Sequence, residues 1–66
     1  MASNRRGKLK EHFCGIHSNL DWVTYHCQLS LELIQGDNPK LSKGIKALGE
    51  SAKALDELAQ RIYATL

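Results

Sequence analysis

The residues best suited to chemistry lie close together in the first half of the chain. Cys14, His17 and Asp21 follow one another at spacings of three and four residues, so a helix would place all three on one face. Thiolate, imidazole and carboxylate are all ligands of zinc. Structural zinc sites usually draw paired ligands from two chain segments, however, and the second half of this chain has no Cys or His. We therefore expect no cofactor, although a metal site assembled by these three residues from two copies of the chain stays open.

The remaining histidines and cysteine give little support to catalysis. Cys27 follows His26 directly, and adjacent residues on a helix point about 100° apart, so the imidazole would not face the thiol. His12 and His26 share a heptad position, which is typical of polar residues at the edge of an interface. The sequence contains no glycine-rich phosphate loop and no catalytic motif. We therefore predict a non-enzymatic protein without a small-molecule substrate.

Basic residues are concentrated near the N-terminus. Arg5, Arg6, Lys8 and Lys10 fall within six residues, and the first acidic residue is Glu11. Because positive charge at a helix N-terminus opposes the macrodipole, these residues are either a solvated tail or contacts to an anion such as a phosphate backbone. The net charge of +2 is too small to imply a polyanion partner by itself.

One turn signal divides the chain into two halves. Gly36, Asp37, Asn38 and Pro39 combine a helix-ending glycine, two residues suited to N-capping and a proline suited to the first turn of a helix. On both sides of the turn, mostly apolar residues recur at alternating spacings of four and three. These two seams are Leu9, Phe13, Ile16, Leu20, Val23, Cys27, Ser30 and Ile34, and Leu41, Ile45, Leu48, Ala52, Leu55, Ala59, Ile62 and Leu66.

The seams predict an all-α fold, an antiparallel two-helix hairpin over residues 8–66. We expect helices over 8–35 and 39–65, a turn at 36–38, and a flexible basic tail over 1–7. Cys14 and Cys27 would then stand about 20 Å apart on one helix, too far for a disulfide, so we expect free thiols and a reducing compartment.

The first helix is too apolar to be an ordinary surface helix. Asp21 is its only formally charged residue between His12 and Leu31. A second stripe, formed by Trp22, His26, Leu29 and Leu33, is offset from the seam and cannot be covered by the same partner helix. We therefore predict a homodimer in which two hairpins close a four-helix bundle, with a tetramer as the alternative. The interface with a second copy or a partner protein should contain Leu20, Trp22, Tyr25, His26, Leu29 and Leu33.

These features favour a homo-oligomeric protein-interaction or regulatory module with a protein partner, because exposed Trp and Tyr are common interface anchors. The alternative is a small nucleic-acid-binding regulator that uses Arg5, Arg6, Lys8 and Lys10. A helix lying on a membrane surface is less favoured, because its basic residues would continue along the helix beyond Lys10. No apolar stretch approaches the length of a signal peptide or a membrane span, so we expect a soluble cytoplasmic protein without a membrane partner.

Overall fold

The computed structural model describes residues 2–66, with side chains described from Asn4 onwards. It consists of two helices that pack against each other, α1 over Ala2–Ile34 and α2 over Pro39–Ala64. The predicted all-α hairpin is therefore confirmed. Its assembly into a homodimeric four-helix bundle stays a prediction.

The turn between the helices forms from the residues that predict it. Gly36 takes a positive φ of 82°, and the Asp37 backbone N–H donates to the Ile34 carbonyl at 3.0 Å. Asn38 caps α2, since its Oδ1 accepts a hydrogen bond from the Leu41 backbone N–H at 3.1 Å, and a proline occupies the first turn. This arrangement supplies a partner for a backbone N–H that the start of a helix leaves unpaired.

The beginning of α1 differs from the sequence prediction. The helix begins at Ala2 rather than Lys8, so the segment 2–7 assigned to a flexible tail is helical. Ala2, Arg5 and Arg6 are strong helix formers, whereas Ser3, Asn4 and Gly7 are weaker ones. The helix therefore extends through residues for which the seam gives no signal.

This extension makes α1 the longer helix. Its 33 residues span about 50 Å, whereas the 26 residues of α2 span about 39 Å. Near the end of α2, the Tyr63 ring lies 5.9 Å from the Lys10 Nζ atom. The residues of α1 that precede Lys10 therefore project beyond α2.

Few residues are buried between the helices. Cys27, Ala52 and Ala59 are the buried ones among residues 4–66, and no large side chain in that range is fully buried. A Cβ atom added to Gly49 would stand 3.5 Å from the Cys27 Cβ atom, so the helices approach closely there. The radius of gyration of 15.6 Å exceeds the roughly 11 Å typical of a compact chain of this length. The hairpin is therefore a rod with almost no core.

The structure divides each predicted seam into two sets. The inward set is buried or half-buried. It consists of Phe13, Leu20, Cys27 and Ile34 on α1, of Ile45, Ala52 and Ala59 on α2, and of Leu66 just after α2. The alternate apolar positions are exposed, namely Leu9, Ile16, Val23, Leu41, Leu48, Leu55 and Ile62, whereas Ser30 is half-buried. A single partner helix therefore covers only part of each seam.

Candidate functional site

His17 lies between two carboxylates, one from each helix. Its Nδ1 atom is 2.8 Å from Asp56 Oδ1 and 3.0 Å from Asp56 Oδ2, across the contact between α1 and α2. Its Nε2 atom is 3.5 Å from Asp21 Oδ2, one turn further along α1. We call these three residues the His17 cluster. It is a polar contact that joins the two helices.

Asp56 is the most sheltered member of the His17 cluster. Its side chain is 16% exposed, against 48% for His17, and the Gln60 side-chain amide donates a hydrogen bond to its Oδ2 at 3.0 Å. The hydrogen bond to Asp56 raises the pKa of His17 above its ordinary value, and the negative charges of Asp21 and Asp56 raise it further. The arrangement therefore favours the imidazolium form of His17.

The His17 cluster overlaps only partly with the trio that the sequence indicates. Among the described residues, His17, Asp21 and Asp56 each offer a ligand atom within 4.8 Å of the other two. Cys14 is exposed and does not belong to this group. Sequence reasoning missed Asp56, although a signal was available: His17 and Asp56 lie about equally far from the turn at 36–38, so an antiparallel hairpin places them opposite each other.

A long apolar surface covers one side of the hairpin. The exposed seam residues lie three or four positions from the inward set, which turns them about 50° to one side of the contact between the helices. Because the helices are antiparallel, the same offset turns both sets toward the same side. We call this surface the apolar face; it consists of Leu9, Ile16, Val23, Leu41, Leu48, Leu55 and Ile62.

The opposite side of the hairpin carries charged residues. An open groove there is lined by Thr24, Gln28, Lys46, Glu50 and Lys53, and also by Cys27, Leu31, Ile45 and Gly49. The His17 cluster lies on this side, one heptad from Thr24. Charged side chains thus flank the contact between the helices on this side, whereas the apolar face has only apolar side chains at the corresponding positions.

The back of α1 carries three rings in mutual contact. The Trp22 ring centroid is 5.6 Å from that of Tyr25 and 5.5 Å from that of His26, with the imidazole stacked on the indole. Trp22 and Tyr25 lie two residues from the inward-facing Leu20 and Cys27, which places them about 160° around the helix from α2. We call Trp22, Tyr25 and His26 the aromatic patch; it is exposed, with Trp22 at 59%.

The other residues of the predicted interface occupy different surroundings. Leu20 is half-buried at an inward position of α1, so the hairpin itself covers part of it. Leu33 is 84% exposed and Leu29 is 36% exposed. The structure therefore leaves Leu29, Leu33 and the aromatic patch accessible, and their part in an interface stays a prediction.

The predicted anion-contacting residues lie at the projecting end of α1. Arg5, Arg6, Lys8 and Lys10 are exposed, and Asn4, Arg5, Lys8, Leu9 and His12 line a shallow surface depression. We call the four cations the basic end. Arg5, Arg6 and Lys8 stand beyond α2, whereas the Lys10 ammonium lies near the Tyr63 ring.

Comparisons with protein-family models, with curated proteins and with solved structures find no match to this chain. Neither described helix has the length of apolar sequence required to cross a membrane.

Proposed function

We propose that this chain is a non-enzymatic interaction module that works as a homodimer, in which two hairpins join through their apolar faces to form a four-helix bundle. The observation that carries the proposal is the imbalance between buried and exposed apolar residues. Cys27, Ala52 and Ala59 are the buried hydrophobic residues of the described chain, whereas thirteen large hydrophobic residues are exposed. A small domain with so little core needs a further source of stability, and association is one such source.

The size of the apolar face suits a second copy of the same hairpin. Two helices side by side, each about 10 Å wide and about 39 Å long over the shared length, present roughly 800 Å². A stable interface of standard size buries about 800 Å² on each partner. Face-to-face packing about a two-fold axis would bury both faces at once, with the polar sides outward.

The aromatic patch supports a partner protein beyond the second copy. Trp22 and Tyr25 lie on the back of α1, so dimerisation through the apolar face leaves them accessible. Aromatic side chains provide much of the binding energy at protein interfaces because they bury a large area with few rotatable bonds. The dimer would thus present two such patches to a protein partner, one on each copy.

Sedimentation equilibrium of the full chain and of matched variants tests the dimer. Leu48→Glu and Leu55→Glu place a carboxylate in the apolar face, and burying an unpaired charge there is costly. We expect both variants to be monomers at concentrations where the unaltered chain is a dimer. Ala47→Glu and Ala54→Glu, which add the same group to exposed positions on the back of α2, should stay dimeric. A monomeric unaltered chain, or dimeric Leu48→Glu and Leu55→Glu variants, would refute the proposal.

A second candidate function, binding of nucleic acid, is supported by the projection of the basic end. Arg5, Arg6 and Lys8 are exposed on helical turns that extend beyond α2, with the positive end of the α1 macrodipole beside them. In the proposed dimer this gives two basic ends. Such an arrangement suits contacts to a phosphate backbone, which are sensitive to salt.

Binding of fluorescent duplex DNA and RNA at several salt concentrations tests this alternative. Replacing Arg5, Arg6, Lys8 and Lys10 with Ala should abolish binding and reduce the salt dependence. Replacing Lys40, Lys43, Lys46 and Lys53 with Ala removes the same charge from α2 and should leave most of the binding intact. Equal binding by the two variants would eliminate a specific role of the basic end.

A further inference from the structure

The His17 cluster has the composition and placement of a metal site that joins two helices. It contains one imidazole and two carboxylates, with His17 and Asp21 on α1 and Asp56 on α2. We propose that His17, Asp21 and Asp56 bind a divalent transition-metal ion such as Zn²⁺, and that the bound ion fastens α1 to α2. This inference does not depend on the dimer, because all three ligands belong to one hairpin.

The separations within the cluster are close to those of a coordination sphere. Zinc binds imidazole nitrogen and carboxylate oxygen at about 2.0–2.2 Å, which places neighbouring ligands of a tetrahedral ion roughly 3.4 Å apart. In the structure one ligand atom of each residue lies within 4.8 Å of the other two. Asp56 faces Nδ1 of His17 and Asp21 faces Nε2, so a side chain must rotate before one ion can bind all three residues. The side chains of His17 and Asp21 are 48% and 67% exposed, so they can rotate by the required amount without disturbing packed neighbours.

A residue outside the cluster fixes one of the ligands. The Gln60 amide donates to Asp56 Oδ2 at 3.0 Å, and both Asp56 oxygens face His17, with Oδ1 2.8 Å and Oδ2 3.0 Å from Nδ1. Carboxylates and imidazoles that bind metals are commonly held by such outer hydrogen bonds. Gln60 therefore orients the most sheltered ligand before any ion arrives.

The ligand set selects the class of ion. Ca²⁺ and Mg²⁺ prefer oxygen ligands alone, whereas imidazole combined with carboxylate suits Zn²⁺ and neighbouring first-row ions. Three protein ligands leave a coordination position for water, which can enter because His17 and Asp21 are largely exposed. Cys14 lies one turn before His17 but contributes no ligand atom to the group, so we expect coordination by nitrogen and oxygen only.

Such an ion would join the two helices at a distance from the turn. His17 and Asp56 lie well away from the turn at 36–38, in the part of the hairpin that the turn does not hold together. An ion that binds only the folded hairpin adds its binding free energy to folding. Bound metal is one of the means by which small domains compensate for a missing core.

Calorimetric titration of the full chain with Zn²⁺ at about pH 8, above the ordinary imidazole pKa of about 6.5, tests the proposal. We expect one ion per chain and a rise of the thermal unfolding midpoint that EDTA reverses. Titration with Co²⁺ gives a second readout, since the visible bands report coordination and a thiolate ligand would add a charge-transfer band in the near ultraviolet. We expect the visible bands without the thiolate band.

Matched variants identify the ligands. Asp21→Asn and Asp56→Asn should each weaken Zn²⁺ binding about tenfold or more, because loss of even an outer partner of a ligand costs about 10–100-fold. His12→Gln and Cys14→Ser, which remove other exposed metal-binding groups on α1, should leave the affinity unchanged. Asp56→Asn also weakens the direct contact between the helices, so Asp21→Asn, whose side chain is 67% exposed, provides the independent test.

The outcomes separate a metal site from a purely structural contact. Unaltered Zn²⁺ affinity in both Asp21→Asn and Asp56→Asn would overturn the proposal. So would the absence of any Zn²⁺-dependent rise in the unfolding midpoint of the unaltered chain, or loss of affinity in Cys14→Ser together with the thiolate band. These outcomes are the same whether the chain is a monomer or a dimer, because all three ligands belong to one hairpin. Failure of the proposed dimer is therefore distinguishable from failure of the metal site.

Discussion

His17 shows how far a single residue can be interpreted from the sequence. Its spacing from Asp21 predicts that the two share a face of one helix, and the structure places them 3.5 Å apart. The contact with Asp56 depends on the register between two helices and on the rotation of each. Spacing along one helix carries no information on either, which is why the sequence indicated Cys14 as the third group and not Asp56.

The raised pKa of His17 predicts that stability depends on pH. Contacts with Asp56 and Asp21 raise the folded-state pKa above the unfolded value. The resulting stabilisation is fully present below about pH 6.5, the unfolded value, and is lost as pH rises through the folded pKa. In metal-free buffer, the free energy of unfolding by urea should therefore fall as the pH rises above about 6.5.

The control for this pH dependence is His17→Gln, which cannot carry the charge. We expect its stability to change less over the same pH range, whereas His12→Gln should retain the dependence of the unaltered chain. An NMR titration that gives a His17 pKa at or below the ordinary value would contradict this explanation.

At the scale of elements, the turn was predictable and the start of α1 was not. Gly36, Asn38 and Pro39 each take the role that their chemistry suits, and the helices end and begin beside them. At the N-terminus no residue provides comparable information, because Arg5, Arg6 and Lys8 favour a helix without contacting a second element. The seams indicated two helices, but the division into inward and exposed positions depends on how each helix is rotated toward its partner.

The backbone conformation of Gln35 predicts that a glycine at this position would stabilise the turn. Its φ of 51° lies in the left-handed region, which costs a residue with a side chain about 1–2 kcal/mol and costs glycine little. We expect Gln35→Gly to raise the free energy of unfolding by up to about 1 kcal/mol, measured by urea denaturation. Gln28→Gly, the same substitution within α1, should lower it by about 1 kcal/mol. A decrease of similar size in both variants would show that the turn does not impose the left-handed conformation.

At the scale of the molecule, the hairpin has more apolar surface than it can bury. The sequence indicated this excess from the uncharged stretch of α1 and assigned it to the stripe that includes Trp22 and Leu33. The structure adds a second exposed apolar surface, the apolar face, to which α2 contributes Leu41, Leu48, Leu55 and Ile62. In the sequence these residues were indistinguishable from the inward Ala52 and Ala59, because both sets belong to the same seam.

The central claim is that folding of this chain is completed by a second copy, and the concentration dependence of thermal unfolding tests it most directly. Unfolding should be followed by circular dichroism, in EDTA so that metal plays no part, over a hundredfold range of protein concentration. For a dimer that dissociates as it unfolds, a hundredfold increase in protein concentration should raise the unfolding midpoint by about 10 °C. A midpoint that stays constant over the whole range of concentration would show that the hairpin folds alone and would contradict the proposed homodimer.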